Sequence, residues 1–365
     1  MGRIAGRFTR VEPRRRVRLL VLGLPSDLPR KNCWTIAEWA GDATPDGMQH
    51  LLGRAKWDAD LVRDEVREYV VEHLRDDQAV LVVDESGDVK KGTHTVGVQR
   101  QYTGTAGRIE NSQVAVHLVY AGRRGHAAVD RELYVPRSWT DQPDRCRAAG
   151  LGGETVFATK PELAARMIGR FLDAGHADAL AKKLPKRAWQ KLSAGTGAQG
   201  HRFYDWAVID LVHPGPGSYQ LLIRRNRGTG ELAFYRCYST TPVPLPTLVR
   251  VAGSRWRVEE FFQSGKGLAG LDEHQVRRFA SWSRWVTLAM LAHAFLAVVR
   301  ADERSRQPGP ADLIPLTCHE IQRLFTTLVI RSVRDAAHQL DWSCRRRRHQ
   351  ARAQASHYRR QAGQT

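Results

Sequence analysis

Cysteine is scarce in this chain: Cys33, Cys146, Cys237, Cys318 and Cys344 are the five among 365 residues, and none forms a C-x-x-C pair. An odd, scattered set of this kind excludes a disulfide framework and argues against a zinc cluster. It fits reduced thiols in a cytoplasm. The 14 histidines do not fill the gap, since none pairs at H-x3-H spacing with cysteines nearby. Long apolar runs are also missing, and the stretch Val17 to Leu24 is too short to span a bilayer. Its arginine-rich flank resembles that of a secretory leader, but Pro25 and Asp27 follow without a small-x-small cleavage site, which argues against one. No internal repeat is present. Acid is in short supply as well: 38 Asp and Glu stand against 57 Lys and Arg, a net charge of +19 and a pI near 10.3. Such an imbalance is the electrostatic footprint of a protein that meets a polyanion.

The chain divides by pattern into three parts. Residues 1–75 open with a basic, irregular stretch carrying Arg14-Arg15-Arg16. Three short helical patterns follow, around Thr35 to Ala40, Gly47 to Leu52 and Leu61 to Val70. With Lys31, Trp34, Trp39, Arg54, Lys56 and Trp57 these helices form either a DNA-binding head or a helical cap whose tryptophans are core. Residues 76–300 turn to strands. Ala79 to Val83 is a continuous apolar run ending in Asp84, and Thr95 to Tyr102 and Ser112 to Tyr120 alternate around a turn at Gly104 to Gly107. A helix with an apolar stripe spans Lys160 to Ala174. A basic, strand-poor stretch follows, then strands at Phe203 to Val212, Tyr219 to Arg225 and Leu232 to Tyr238. Leu288 to Val299 is a helix apolar all round, expected to be buried. Residues 301–365 comprise a linker at Pro308-Gly309-Pro310, a helix at Ile321 to Ile330, and a basic tail around Arg345 to Arg348, expected to be disordered alone.

The most informative segment is Arg255-Trp256-Arg257-Val258-Glu259-Glu260-Phe261-Phe262-Gln263-Ser264-Gly265-Lys266. On a helix Arg255, Glu259 and Lys266 fall within about 40° of one another, which sets one carboxylate between two cations. Alone this is as well explained by a solvated ion-pair ladder. Together with a buried strand ending in acid it has the makings of a two-metal phosphoryl-transfer site, where hard oxygen ligands come from separate elements.

Val82-Val83-Asp84-Glu85-Ser86-Gly87, followed by Lys90-Lys91-Gly92-Thr93-His94, resembles the first-aspartate region of DDE transposases from bacterial insertion sequences. Arg255-x3-Glu259-x6-Lys266 is similar to the Tyr-x2-Arg-x3-Glu-x6-Lys signature on the last catalytic helix of one group of them. The resemblance covers about Lys31 to Val299. It implies an RNase H-like α/β fold with a mixed sheet, flanking helices, an N-terminal helical region and a basic C-terminal tail. It also implies cleavage and joining of insertion-sequence ends with Mg²⁺ or Mn²⁺. The partners would be double-stranded DNA, both transposon ends and target, bound by a homodimer in the nucleoid of the cytoplasm with no membrane involved.

By the same resemblance Asp84 and Glu259 are catalytic metal ligands, and Arg255, Lys266, Lys90 and Lys91 contact DNA phosphates. Glu85 and Asp88 compete with Asp84 for the first role. Helix phase favours Glu259 over Glu260. For the cations, ion pairing with Glu259 or a solvated turn is the plainer alternative. Trp282 and Trp285 read as core. The sequence departs from the family twice. Ala252 stands where the signature has tyrosine, and the middle aspartate is not found. Asp173, Asp178, Asp205 and Asp210 are all weak substitutes, and an internal deletion near 175–178 accounts for the gap. The corresponding expectations are impaired chemistry and an alternative role as an inactive remnant that only binds DNA.

Overall fold

A computed structural model describes residues 2–76, 79–153, 155–171, 173–174, 190–197, 200–211, 217–229, 232–306, 315–329 and 336–362. Residues 2–74 carry five helices joined by turns: α1 (Gly2–Ala5), α2 (Val11–Gly23), α3 (Cys33–Trp39), α4 (Asp46–Gly53) and α5 (Ala59–His73). The stretch expected to be irregular is thus ordered, because Ile4, Phe8, Val17 and Leu20 supply a buried stripe. Asn32 starts α3 by accepting from the Trp34 and Thr35 amides, with the Thr35 hydroxyl accepting in return from Asn32 N. Trp39 and Trp57 are buried, and the core that holds them runs on into the sheet.

The first sheet contains β1 (Val80–Val89), β2 (Gln99–Thr103), β3 (Arg108–Ala121) and β4 (His126–Leu133). Strand β3 is the hub and pairs antiparallel with each of the other three. Two short helices, α6 (Arg137–Thr140) and α7 (Pro143–Ala148), lead to α8 (Lys160–Phe171). A second antiparallel sheet is a meander of β5 (Gln190–Gly197), β6 (Gly200–Leu211), β7 (Ser218–Arg225) and β8 (Leu232–Ser239). It has its own small core of Ala194, Trp206 and Leu222 against Leu245, Leu248 and Val249.

Those last three residues belong to α9 (Leu245–Ala269), which passes from the second sheet to the first. It ends at Gly270, whose φ of 60° is a left-handed conformation that glycine adopts without a Cβ penalty. Next, α10 (Phe279–Arg306) packs on α2, α4, α5, α9 and β4. It is long and apolar enough to cross a membrane, but 78% of its apolar window is buried within this fold. Trp282 and Trp285 are core, as expected, and the Trp285 indole donates to Gly270 O at 2.9 Å. Finally come α11 (Cys318–Leu328) and α12 (Ala336–Ala362).

Helix α12 corrects the expectation of a disordered tail. Its Trp342 is 1% exposed and donates to Asp42 O at 3.0 Å. Nearby, His338 Nε2 lies 2.8 Å from Glu38 O, and the Arg346 guanidinium pairs with Glu38. The architecture is an α/β fold with an antiparallel sheet and flanking helices, consistent with the RNase H-like class.

Candidate functional site

Strand alternation decides which acids of β1 face which layer. The apolar run was expected to stop at Asp84, but β1 continues to Val89, so Asp84 sits mid-strand opposite His117. Directly opposed residues of an antiparallel ladder share a face. His117 packs edge-on to Phe262 of α9 with centroids 5.3 Å apart, and Asp84 therefore lies on the α9 side. Glu85 points the other way and pairs with Lys160 of α8 at 2.5 Å. Asp88, in phase with Asp84, meets His274 Nε2 at 3.2 Å, Lys90 Nζ at 3.8 Å and Lys266 Nζ at 3.9 Å.

Asp84 is half-buried and accepts from the Glu85 amide at 2.9 Å. Its ladder partner His117 is 1% exposed, and both ring nitrogens are buried without a hydrogen-bond partner. Burial pushes the His117 ring down to about 4, so it is neutral at physiological pH. Burial would raise the Asp88 carboxyl. The His274 hydrogen bond and the charges of His274, Lys90 and Lys266 outweigh it and hold Asp88 below its ordinary value. Lys90 is lowered, mainly by burial.

Helix α9 lies along β1 in the same direction. Near its middle the Arg257 guanidinium donates to Gly122 O, one residue past the Ala121 that pairs with Val80. Near its end Lys266 reaches Asp88. Glu259 is exposed and about 20° in phase from Lys266. Lys266 also pairs with Asp272 at 3.9 Å and donates to the Thr105 hydroxyl at 3.4 Å. Lys90 further donates to His274 O at 3.3 Å, and Lys91 is exposed. The backbone of Arg255 is part of α9, while its side chain lies outside the described residues.

Among the weak substitutes for the middle acid, Asp173 is exposed beyond α8. Asp205 lies on the second sheet and pairs with Arg227 at 3.4 Å. Asp178 and the expected junction at 175–178 fall outside the described residues, as does the Asp210 side chain. Three residues were missed by sequence reasoning: His117, His274 and the second role of Asp88 as a cation anchor. The alternation of β3 was signal enough to place His117 on the face of Asp84. Nothing local marks His274, which meets Asp88 only through the tertiary fold.

An acid-bearing edge strand of this sheet lies against a helix carrying glutamate, in keeping with the similarity of this chain to DDE endonucleases and to an insertion-sequence transposase. Residues 3–181 match the family model described as DDE superfamily endonuclease. A relative is the probable transposase for insertion sequence element IS701 of Microchaete diplosiphon, 34% identical over 158 residues. That match covers 43% of this chain and 38% of the relative, so the chain spans well under two thirds of the relative's length. Endonucleases of this superfamily use divalent metals. Among the described residues, however, no three His, Cys, Asp or Glu side chains converge to hold one. The described residues alone do not complete such a site.

Proposed function

We propose that this chain acts on insertion-sequence DNA as a strand-cutting and strand-joining transposase, with Asp84 and Glu259 as its acid pair. The supporting observation is the alignment of α9 over β1. From Lys266 back to Glu259 the helix rises about 10 Å, and from Asp88 back to Asp84 the strand covers about 13 Å. The Lys266–Asp88 contact supports a placement of Glu259 near the level of Asp84, with Glu259 and Lys266 on one side of the helix. Phe262, one turn further on, packs against His117 across the ladder from Asp84. An acid pair converging on one phosphodiester, with cations to either side, suits an in-line displacement at phosphorus.

Arg255, Lys90 and Lys91 complete this reading as phosphate contacts, and a homodimer would bring two DNA ends together. Lys266 and Lys90 act on the phosphates from positions fixed by Asp88. The test is a strand-cleavage assay on duplex DNA carrying the element's ends, in buffer containing Mg²⁺ or Mn²⁺. Cleavage lost on Asp84→Ala and on Glu259→Gln supports the proposal. Cleavage that survives both substitutions overturns it.

A second reading is a protein that binds DNA without cutting it. It is favoured by the lack, among the described residues, of a third acid converging with the pair. Wild-type protein that binds the duplex but leaves it uncut would select this reading.

A further inference from the structure

Two cavities open side by side at the end of β1. One, of about 540 Å³, lies between the Lys90 to Thr95 loop and the segment Asp272 to Arg277, with Arg30 on its rim. The other, of about 310 Å³, lies between Thr93-His94 and the Trp139/Arg145 pair, with Arg277 and Arg278 on its far wall. Arg277 lines both. Its carbonyl accepts from Val96 N at 3.0 Å, so the two loops are tied together and the cavities form one groove.

The charges along this groove are unbalanced. Its acids are already engaged: Glu273 holds Lys31 at 3.8 Å, and Asp272 holds Lys266 at 3.9 Å. Arg30, Lys91, Arg277 and Arg278 are exposed and have no carboxylate within ion-pair distance among the described residues. Arg145 is fixed with its guanidinium 3.8 Å from the Trp139 ring centroid and donates to Thr93 O at 2.9 Å. That hydrogen bond and a longer one to Ser138 O direct it without neutralising it. At the floor, His274 is 3% exposed and its Nδ1 has no partner. Mutual repulsion disfavours gathering five cations around an open space unless an anion is shared among them. A row of guanidinium groups along a groove matches a row of phosphates better than it matches any single small anion.

We infer that this groove carries the sugar-phosphate backbone of duplex DNA, with Arg277 at its centre and Arg145, Arg278, Arg30 and Lys91 along it. The inference rests on the DNA-acting reading above and extends its phosphate contacts from Lys91 onto a surface beyond the acid pair. The groove touches backbone only, so it contributes affinity without sequence preference.

The test is the salt dependence of binding of the full chain to a duplex of arbitrary sequence. Each phosphate no longer neutralised should lower the slope of log K against log salt by about 1. Arg277→Ala/Arg278→Ala is expected to lower it by about 2, and Arg277→Lys/Arg278→Lys to restore most of that. Arg323→Ala, a control on an exposed arginine paired with Glu320, should leave the slope unchanged. An unchanged slope in the Arg277/Arg278 double alanine variant overturns the inference, as does wild-type protein that fails to bind duplex. Because the readout is binding, loss of the cleavage reading alone leaves the groove result intact. All substituted side chains are exposed, and unchanged thermal midpoints separate a weakened DNA interface from a damaged fold.

Discussion

Lowering the pH from 7 to 5 should strip the fold of several kcal/mol of stability while its carboxylates remain ionised. Burial holds His117 at about 4 and His293 at about 3, so both stay neutral in the folded chain at pH 5. In the unfolded chain each titrates near about 6.5 and is almost wholly protonated at pH 5. The unfolded state therefore binds more protons, and stability falls as pH falls. The contribution is complete above about 6.5 and is lost between there and the folded values. At pH 5 the loss is set by the unfolded pKa and is insensitive to how far below 5 the folded value lies. Linkage gives about 2 kcal/mol per histidine, or about 4 kcal/mol for the pair. Burial pushes His126 and His274 the same way and adds to this figure. Asp60 and Asp88, held below ordinary carboxylate values, contribute only at lower pH. The assay is urea unfolding at pH 7 and pH 5 for the wild type and for His117→Leu. The variant should lose about 2 kcal/mol less over that interval. Equal stability at the two pH values in the wild type, or an undiminished loss in the variant, would refute the reasoning.

Two further outcomes follow from packing. Asp130 is fully buried between Arg170 at 2.9 Å and Arg63 at 3.5 Å, so Asp130→Ala removes the buried carboxylate they share and leaves Arg170 to Glu132 and Arg63 to Asp60 and Asp64. It should cost about 3–5 kcal/mol in urea unfolding, and a cost under about 1 kcal/mol would mean that water already serves those arginines. Trp342→Ala removes the one indole that seats α12 on α3, a change of about 3–5 kcal/mol in that docking. Protease cleavage within 336–362 should accelerate while the unfolding midpoint of the remaining core stays put. Equal cleavage rates would show that α12 is held by other interactions.

How much of this was readable beforehand depended on whether each element had a partner of its own. The helices around Ile36, Leu51 and Val66 carry complete apolar stripes, the first and third also carry side-chain caps at Asn32 and Asp58, and all three were legible. Strand β1 was expected to stop short at Asp84, where the apolar run ends, yet it runs on through Glu85 and Asp88. They are tolerated within a ladder because Lys160 takes one and His274 the other. Strand β4 was missed altogether. Its Asp130-Arg131-Glu132 run breaks any apolar alternation, and only the fold supplies Arg170 and Asp60 to satisfy it. Helix α12 hid its seat behind arginines, with His338, Trp342 and His349 making contacts to α3 and the turn after it. At the candidate site, residue identities were visible on one strand and one helix. The alignment of that helix over the strand, which brings Lys266 to Asp88 and Phe262 to His117, belongs to the tertiary structure alone.

The seat of α12 on α3 has a consequence for synthesis on the ribosome. Trp34 and Trp342 meet with ring centroids 6.0 Å apart, and the hydrogen bonds of His338 and Trp342 close on Glu38 and Asp42, 300 residues earlier. The first helices emerge early and can gather their own short-range core. The outer face of α3 then waits, uncovered, until Trp342 has been made, some 300 residues later. A ribosome that stalls after the second sheet would release a chain whose helical cap still displays an unsatisfied aromatic face. Chaperones that read apolar surface would meet such a chain at its beginning, and the closing of that face would come only after α12 has been made.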